Sequence, residues 1–302
     1  MVARQFQLLL LAELLFYALG GSLLVSRSGW SGGEAVALAL AIFLGLRLIL
    51  VLLTFALSRR GRRELPAAAR LGALPLLRMI ATEYVAFLLL FVVVIPFEGF
   101  WLGPDRLGHC ASRRTPLLLI HGYQCNRGFW FWMRRKLEAA GWTVATHSLE
   151  PTYSDIDRYA EGIARRIDEV LAATGAEQVT LIAHSMGGLA CRAYLRRHGR
   201  AKVEKFITLG SPHRGTLLAS LGLGPNARQM RIGNPWLNEL ETSDALPPAA
   251  VSIYSHHDNY VFPQPTAATL AGANHLAVGG VGHVGMAISP TILAQLRDVL
   301  EA

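Results

Sequence analysis

Two apolar runs within the first sixty residues constrain the chain most. The first extends from Phe6 to Val25, broken by Gln7 and Glu13, and the second from Ala35 to Leu57 with one charge, Arg47. A helix rises about 1.5 Å per residue, so about 20 apolar residues cross the hydrocarbon core of a bilayer. The connecting stretch from Ser26 to Glu34 is short and rich in Gly and Ser. The two runs therefore read as a helical hairpin in a membrane. A third run, Leu76 to Phe97, carries Arg78 and Glu83 near its start and is free of charge from Tyr84 to Phe97. With its flanks it is long enough to span; without them it reads as a helix lying in the interface. We take the spanning reading. A signal peptide cleaved near Ala18 to Ser22 competes for the first run, but its basic start is Arg4 alone and a second span follows at once, so an uncleaved anchor is expected.

The rest of the chain has a different texture. Apolar residues make up 52% and charged residues 17% of the whole, against about a quarter charged in ordinary soluble domains, and the excess lies before residue 100. The expected division is a membrane region over 1–100 (helices about 6–25, 35–57 and 76–97), a linker over 101–114 and a second domain over 115–302, with a lid-like insertion at about 216–248. Net charge is +8. The densest cluster, Arg59-Arg60-Gly61-Arg62-Arg63, follows the second run directly, and Arg70 and Arg78 add to it against the single acid Glu64. The positive-inside rule places this loop in the cytoplasm. A spanning third run then sends everything after Phe97 to the other side: a bacterial inner membrane with the second domain facing the periplasm. An interfacial third run leaves that domain cytoplasmic. No basic stripe interleaved with aromatics occurs, so nucleic acid is not an expected partner. Of the charges within the runs, Arg47 is placed to pair with Glu13 across the hairpin, and Glu83 to reach the interface; a transport path would need more spans. Cys110, Cys125 and Cys191 lack metal-ligand spacing, so neither metal nor cofactor is expected. Cys191 reads as a small buried residue, while Cys110 and Cys125 are spaced to pair if they face an oxidising compartment.

Beyond Thr115 short apolar runs alternate with amphipathic stretches. Strands are expected at Pro116 to Ile120, near Trp142 to Leu149, at Gln178 to Ala183, Val203 to Leu209 and Ala250 to Ser255. Helices are expected at Phe129 to Ala140, Ile156 to Ala173, Gly187 to Arg197 and Pro290 to Leu300. That alternation predicts an α/β fold with a mostly parallel sheet covered on both faces. The stretch from Thr216 to Pro248 breaks the rhythm with Gly, Asn, Pro and scattered leucines. It is too long for an ordinary connection and reads as a lid, or as a surface excursion without a role.

The chemical signal is Ile182-Ala183-His184-Ser185-Met186-Gly187-Gly188, between an apolar strand and a helix start. A serine there sits on a cramped strand-to-helix turn, with Ala183 and Gly187 as the small neighbours the turn requires. The helix N-terminus behind it favours developing negative charge. A plain helix cap at Ser185 would not need those small residues. A serine hydroxyl needs a base, and the base an orienting carboxylate. Asp258 follows the strand ending at Ser255 and is preferred to Asp244, which lies inside the insertion. His283, in Gly279-Gly280-Val281-Gly282-His283 before the last helix, is preferred as base to His275, His256 and His257. The N–H of Met186, next to the nucleophile, and that of Tyr123, after the first strand in His121-Gly122-Tyr123, are the candidate oxyanion donors. His121 is read as fixing this loop by hydrogen bonds.

Together, His121-Gly122, Ala183-His184-Ser185-Met186-Gly187-Gly188, Gly210-Ser211-Pro212-His213-Arg214-Gly215-Thr216 and Gly282-His283 resemble the motifs of bacterial triacylglycerol lipases and related esterases. Alanine at 183 replaces the glycine usual in that turn. The resemblance covers 115–302 and implies an α/β-hydrolase fold preceded by two or three transmembrane helices. It implies Ser185, Asp258 and His283 as triad, Tyr123 and Met186 as oxyanion donors, and a lipid or other acyl-ester substrate. Acyl transfer through the same serine, amide cleavage, and a non-catalytic membrane-anchored binding role are the alternatives. Secreted lipases lack the hairpin, so the bilayer itself is an expected partner; the oligomeric state is left open.

Overall fold

A computed structural model describes residues 1–60, 65–108, 114–243 and 246–302. Arg62, Arg63, Glu64, Cys110 and Asp244 lie outside the described residues. Helices α1 (Val2–Ser28) and α2 (Gly32–Arg60) form the hairpin. α1 ends on Gly29, whose φ of 69° lets its N–H return to the Leu24 carbonyl. Both helices outrun the apolar runs because flanking polar residues continue them. Their leucines are exposed all round the axis, Leu9, Leu14 and Leu19 on α1 and Leu40, Leu46 and Leu53 on α2 among them, as befits helices with no protein covering them. Arg47 grips Glu13 through two bonds of 3.0 and 2.6 Å, and Tyr17 donates to the same carboxylate at 2.8 Å. The expected cross-hairpin pair is present.

Helix α3 (Ala73–Leu88) continues as a π-helical turn over Leu89–Val94. All three helices are long and apolar enough to cross a membrane. The third has a particular placement. Met79 packs with Val51 and Phe55 of α2. Twelve residues on, Phe91 meets Phe6 of α1 in a tilted ring contact at 5.6 Å, and Gln7 donates to the Pro96 carbonyl at 2.7 Å. In the antiparallel register fixed by Glu13 and Arg47, Phe6 stands near the level of Thr54. α3 thus meets both arms of the hairpin, and between these contacts Tyr84 donates to the Leu44 carbonyl of α2 at 2.9 Å. The opposite face of α3 is buried elsewhere: Ala86, Leu90 and Val94 belong to the same core as Leu117, Ile207 and Ile253.

The remainder is a three-layer arrangement. Strands β1 (Leu117–Ile120), β2 (Val144–His147), β3 (Val179–His184), β4 (Val203–Leu209), β5 (Ala249–Ser255) and β6 (Asn274–Val278) form a sheet in the order β2-β1-β3-β4-β5-β6. Every described pairing is parallel. β1 and β3 are apolar throughout and buried throughout, as strands covered on both faces must be. One face carries α4 (Glu98–Trp101), α5 (Phe131–Ala139) and α10 (Pro290–Glu301). The other carries α6 (Tyr159–Thr174) and α7 (Met186–His198). Order reversal across β1 and β3 opens a crevice at the carboxyl ends of the strands, where ligands of open parallel sheets bind.

The segments read from sequence as a linker and as a lid are both tied to the domain over their described residues. Over its described part the linker 101–114 is docked, because Asp105 is buried and binds three guanidiniums: Arg134 at 2.8 Å, Arg166 at 2.6 Å and Arg127 at 3.3 Å. It also accepts from the Thr146 N–H of β2 at 2.7 Å. The insertion at 216–248 is also tied down over its described residues. It holds α8 (Gly224–Gln229) and α9 (Pro235–Ser243), and Asn226, Met230, Leu237 and Leu240 are buried. Asn226 donates to the Thr152 carbonyl at 2.8 Å and Trp236 to Asp157 at 2.8 Å. Its exposed apolar residues, Leu217, Leu221, Leu223 and Ile232, are gathered before α8 and just before α9.

Candidate active site

β3 delivers Ser185 to the crevice. Its backbone lies at φ 54°, ψ −128°, a region L-residues avoid at a cost of about 1–3 kcal/mol. The surroundings hold it there: Ser185 N donates to the Leu209 carbonyl at 2.9 Å, and Gly188 N to the Ser185 carbonyl at 3.0 Å. The turn is too tight for side chains at its flanks. A Cβ on Gly187 would lie 2.5 Å from the His121 carbonyl oxygen and 2.7 Å from that of Ile120, and one on Gly122 would lie 2.8 Å from Ser185 Cβ. At 183 alanine is accommodated, fully buried. No hydrogen bond to the Ser185 hydroxyl occurs among the described residues, and a loose serine–base contact is common in an unliganded site.

β5 and β6 supply the partners. Asp258 follows β5 and is buried, with Oδ1 accepting from the N–H groups of Tyr260 at 2.8 Å and Val261 at 2.7 Å. Its other oxygen, Oδ2, lies 2.8 Å from His283 Nδ1. The Nδ1 proton therefore points at Asp258, leaving Nε2 as the basic nitrogen. The His283 ring lies between Tyr260, stacked at 5.1 Å, and His184, tilted at 4.5 Å. His184, the residue before the serine, donates from Nε2 to the His283 carbonyl at 3.2 Å. The serine turn and the histidine loop are thereby in direct contact.

The other histidines have structural partners. His275 Nε2 accepts from Leu270 N at 3.0 Å and His257 Nδ1 from Gly280 N at 3.1 Å, while His256 packs on Tyr254. His121 bonds the Gly122 carbonyl through Nδ1 at 2.8 Å and accepts from Leu149 N at 2.9 Å, which fixes the loop bearing Tyr123. Met186 opens α7, so its N–H is one of the helix's orphan donors. The Tyr123 hydroxyl donates to the Leu223 carbonyl at 2.8 Å and accepts from Leu223 N at 3.0 Å, which ties the insertion to the mouth of the crevice. Cys125 and Cys191 are free and buried; burial pushes the Cys125 thiol up to about 12. A cleft of about 840 Å³ lies apart from Ser185, between α1 and α2, lined by Leu10, Glu13, Tyr17, Leu40 and Phe43 among others.

Residues 102–264 match the alpha/beta hydrolase fold family. The chain belongs to that family. Within it, a triacylglycerol lipase of Pseudarthrobacter phenanthrenivorans is 34% identical over 117 residues, covering 36% of each chain. A triacylglycerol lipase of Burkholderia plantarii is 34% identical over 117 residues, 36% of this chain and 32% of that one. The chain thus spans about a third of the length of these curated relatives. Among solved structures, the mature Bacillus licheniformis lipase BlEst2 superposes with a TM-score of 0.56 at 18% identity, over 65% of this α/β-hydrolase chain and 96% of that one. That likeness concerns the fold.

Sequence reasoning gave Thr54, Asn259 and Tyr260 no role and read Glu83 as reaching the interface; Glu83, Asn259 and Tyr260 touch His283 or the residues after it, and Thr54 joins them through Asn259. Glu83 of α3 is buried and accepts from Val284 N at 3.0 Å and Gly285 N at 2.7 Å. Its position inside an apolar run was the one available signal.

Burial of several imidazoles makes stability depend on pH. Burial lowers His121 to about 4 and holds His184 and His213 well below the usual histidine range. The unfolded chain, with imidazoles near 6.5, takes up protons first as pH falls. The stabilisation is therefore complete above about pH 6.5 and is lost as pH drops toward 4, at about 2 kcal/mol for His121 alone by pH 5. The denaturation midpoint in detergent should fall steadily between about pH 7 and pH 5; a flat profile contradicts this reading of the buried histidines.

Proposed function

We propose that the protein is a membrane-anchored carboxylic ester hydrolase, of lipase type, acting on acylglycerols or other lipid esters through an acyl-enzyme on Ser185. The observation that carries this reading is the strained Ser185 turn beside the buried His283–Asp258 pair. The triacylglycerol lipases it resembles support the ester chemistry.

In this reading Ser185 Oγ attacks the ester carbonyl while His283 Nε2 takes its proton. Asp258 holds Nδ1–H and stabilises the imidazolium that forms. The carbonyl π electrons move to oxygen, and the oxyanion is met by the N–H groups of Met186 and Tyr123, aided by the N-terminus of α7. Collapse expels the alcohol, which takes the proton from His283 and leaves the acyl-serine. Water, deprotonated by His283, repeats the sequence and releases the acid. Exposed Leu217, Leu221 and Leu223 beside Tyr123 give the crevice an apolar rim suited to an acyl chain. A lipid acceptor in place of water would make the same intermediate an acyltransferase.

The hairpin α1–α2 is the bilayer anchor in this reading. α3 supports an interfacial position. Were it to span, Glu83 at its middle would carry the His283 loop, and the hydrolase core packed on Ala86, Leu90 and Val94, to the depth of the hydrocarbon. The contacts of α3 with Phe6, Gln7, Val51 and Phe55, all toward the hairpin's open end, favour a hydrolase domain on that side. The arginines that follow α2 make that side the cytoplasm. The alternative, a periplasmic domain, requires α3 to cross.

Replacing Ser185 by alanine should lower turnover of short- and long-chain p-nitrophenyl esters by about 10³-fold or more while leaving the fold intact; unchanged turnover would sink the proposal. For topology, a fluorescent protein fused to the C-terminus should light up, and alkaline phosphatase fused there should stay inactive; the reverse pattern would restore the periplasmic reading.

A further inference from the structure

The apolar N-terminal helices reach the acid–base loop directly. Glu83, on α3, accepts from the N–H groups of Val284 and Gly285, the two residues after His283. These N–H groups open the short 3-10 helix over Val284–Ile288 and have no partner within it. The Glu83 carboxylate also fills the space beside Gly282 that a Cβ there would occupy. This explains why glycine precedes His283. From the other side, His283 N donates to Asn259 Oδ1 at 2.9 Å, and Asn259 Nδ2 donates to Thr54 Oγ1 of α2 at 2.7 Å. Thr54, Glu83, Asn259 and His283 are all buried. The backbone of His283 and the two residues after it is therefore clamped by one side chain from α3 and, through Asn259, by one from α2.

We infer that Glu83 and Thr54 are positioning residues for His283, so that the membrane helices form part of the catalytic framework as well as an anchor. The inference rests on the ester-hydrolase reading of Ser185, Asp258 and His283. A carboxylate buried against a loop has a demanding role: it is retained only where its acceptors are used. Here both oxygens are used, and both bonds fix the peptide units that follow the base. Loss of either clamp lets the imidazole drift from Asp258 and from Ser185. A misplacement of about 1 Å costs about 10²-fold in rate. In the ester-hydrolase reading the substrate meets Tyr123 and the leucine rim, away from both clamps, so the loss should fall on kcat and spare KM.

The test uses the full-length protein in lipid nanodiscs. Active sites are first titrated to completion with a fluorophosphonate, and kcat and KM for p-nitrophenyl butyrate are then measured per titrated site. Glu83→Ala should lower kcat per site by about 10²-fold with KM within about twofold. Glu83→Gln, which keeps one acceptor oxygen, should recover part of that loss. Thr54→Val, acting one bond further away, should lower it by about 3–10-fold, a fraction of the direct effect. Fewer titrated sites with wild-type kcat per site would mean that these residues only support folding, and would overturn the inference. If the Glu83 variants yield no titratable protein, Thr54→Val decides: reduced kcat per site upholds the inference and wild-type kcat per site overturns it. A wild-type protein that neither titrates nor turns over ester would instead overturn the ester-hydrolase reading itself.

Discussion

A serine held at positive φ costs free energy that its surroundings must supply, and much of the hydrolase domain is arranged to supply it. The Ser185 turn is wedged among the carbonyls of Ile120 and His121, the Ser211 side chain and the end of β4. None of these can retreat, because β1, β3 and β4 lie side by side in the middle of a parallel sheet. The strain leaves the hydroxyl in the open crevice and sets the first N–H of α7 beside it. Glycines at 122 and 187 follow from that crowding.

The histidine is a different problem. His283 lies on a connection after the edge strand β6, which has a sheet neighbour on one side only. Loops of this kind have little to fix them. The structure surrounds this one with specific partners: Asp258 on the imidazole, His184 on its carbonyl, Asn259 on its N–H and Glu83 on the two peptides that follow. Two of these attachments lead back to α2 and α3. The apolar helices also close the core beneath β1, through Ala86, Leu90 and Val94. The apolar helices and the hydrolase domain therefore share a core.

Much of the fold was legible in the sequence, for physical reasons that can be named. Fully buried strands such as β1 and β3 are continuous apolar runs, and α6 shows helical spacing at Ile163, Ile167 and Val170. The cramped turn at Ser185 needs small neighbours, so it is visible in local sequence. The pairing of Asp258 with His283 was legible from chain order and from their places after strands. Contacts between distant segments leave no such trace. Nothing around Asp105 marks it as the hub for Arg127, Arg134 and Arg166, so residues 101–108 read as a linker. Glu83 read as a charge near the end of an apolar run, because its partners lie some two hundred residues away and are backbone N–H groups, which any residue provides. The contacts α3 makes with both the hairpin and the His283 loop were hidden for the same reason: length and apolarity alone do not show what a helix packs against.

The central claim is that the strained serine is the chemically reactive group of this chain, armed by the buried pair beside it. The direct measurement is mass-spectrometric mapping of a fluorophosphonate adduct on the membrane-inserted protein. The account predicts one adduct per chain, on Ser185, formed far more slowly when His283 is replaced. A folded protein that takes no adduct, or takes it on another residue, would contradict it.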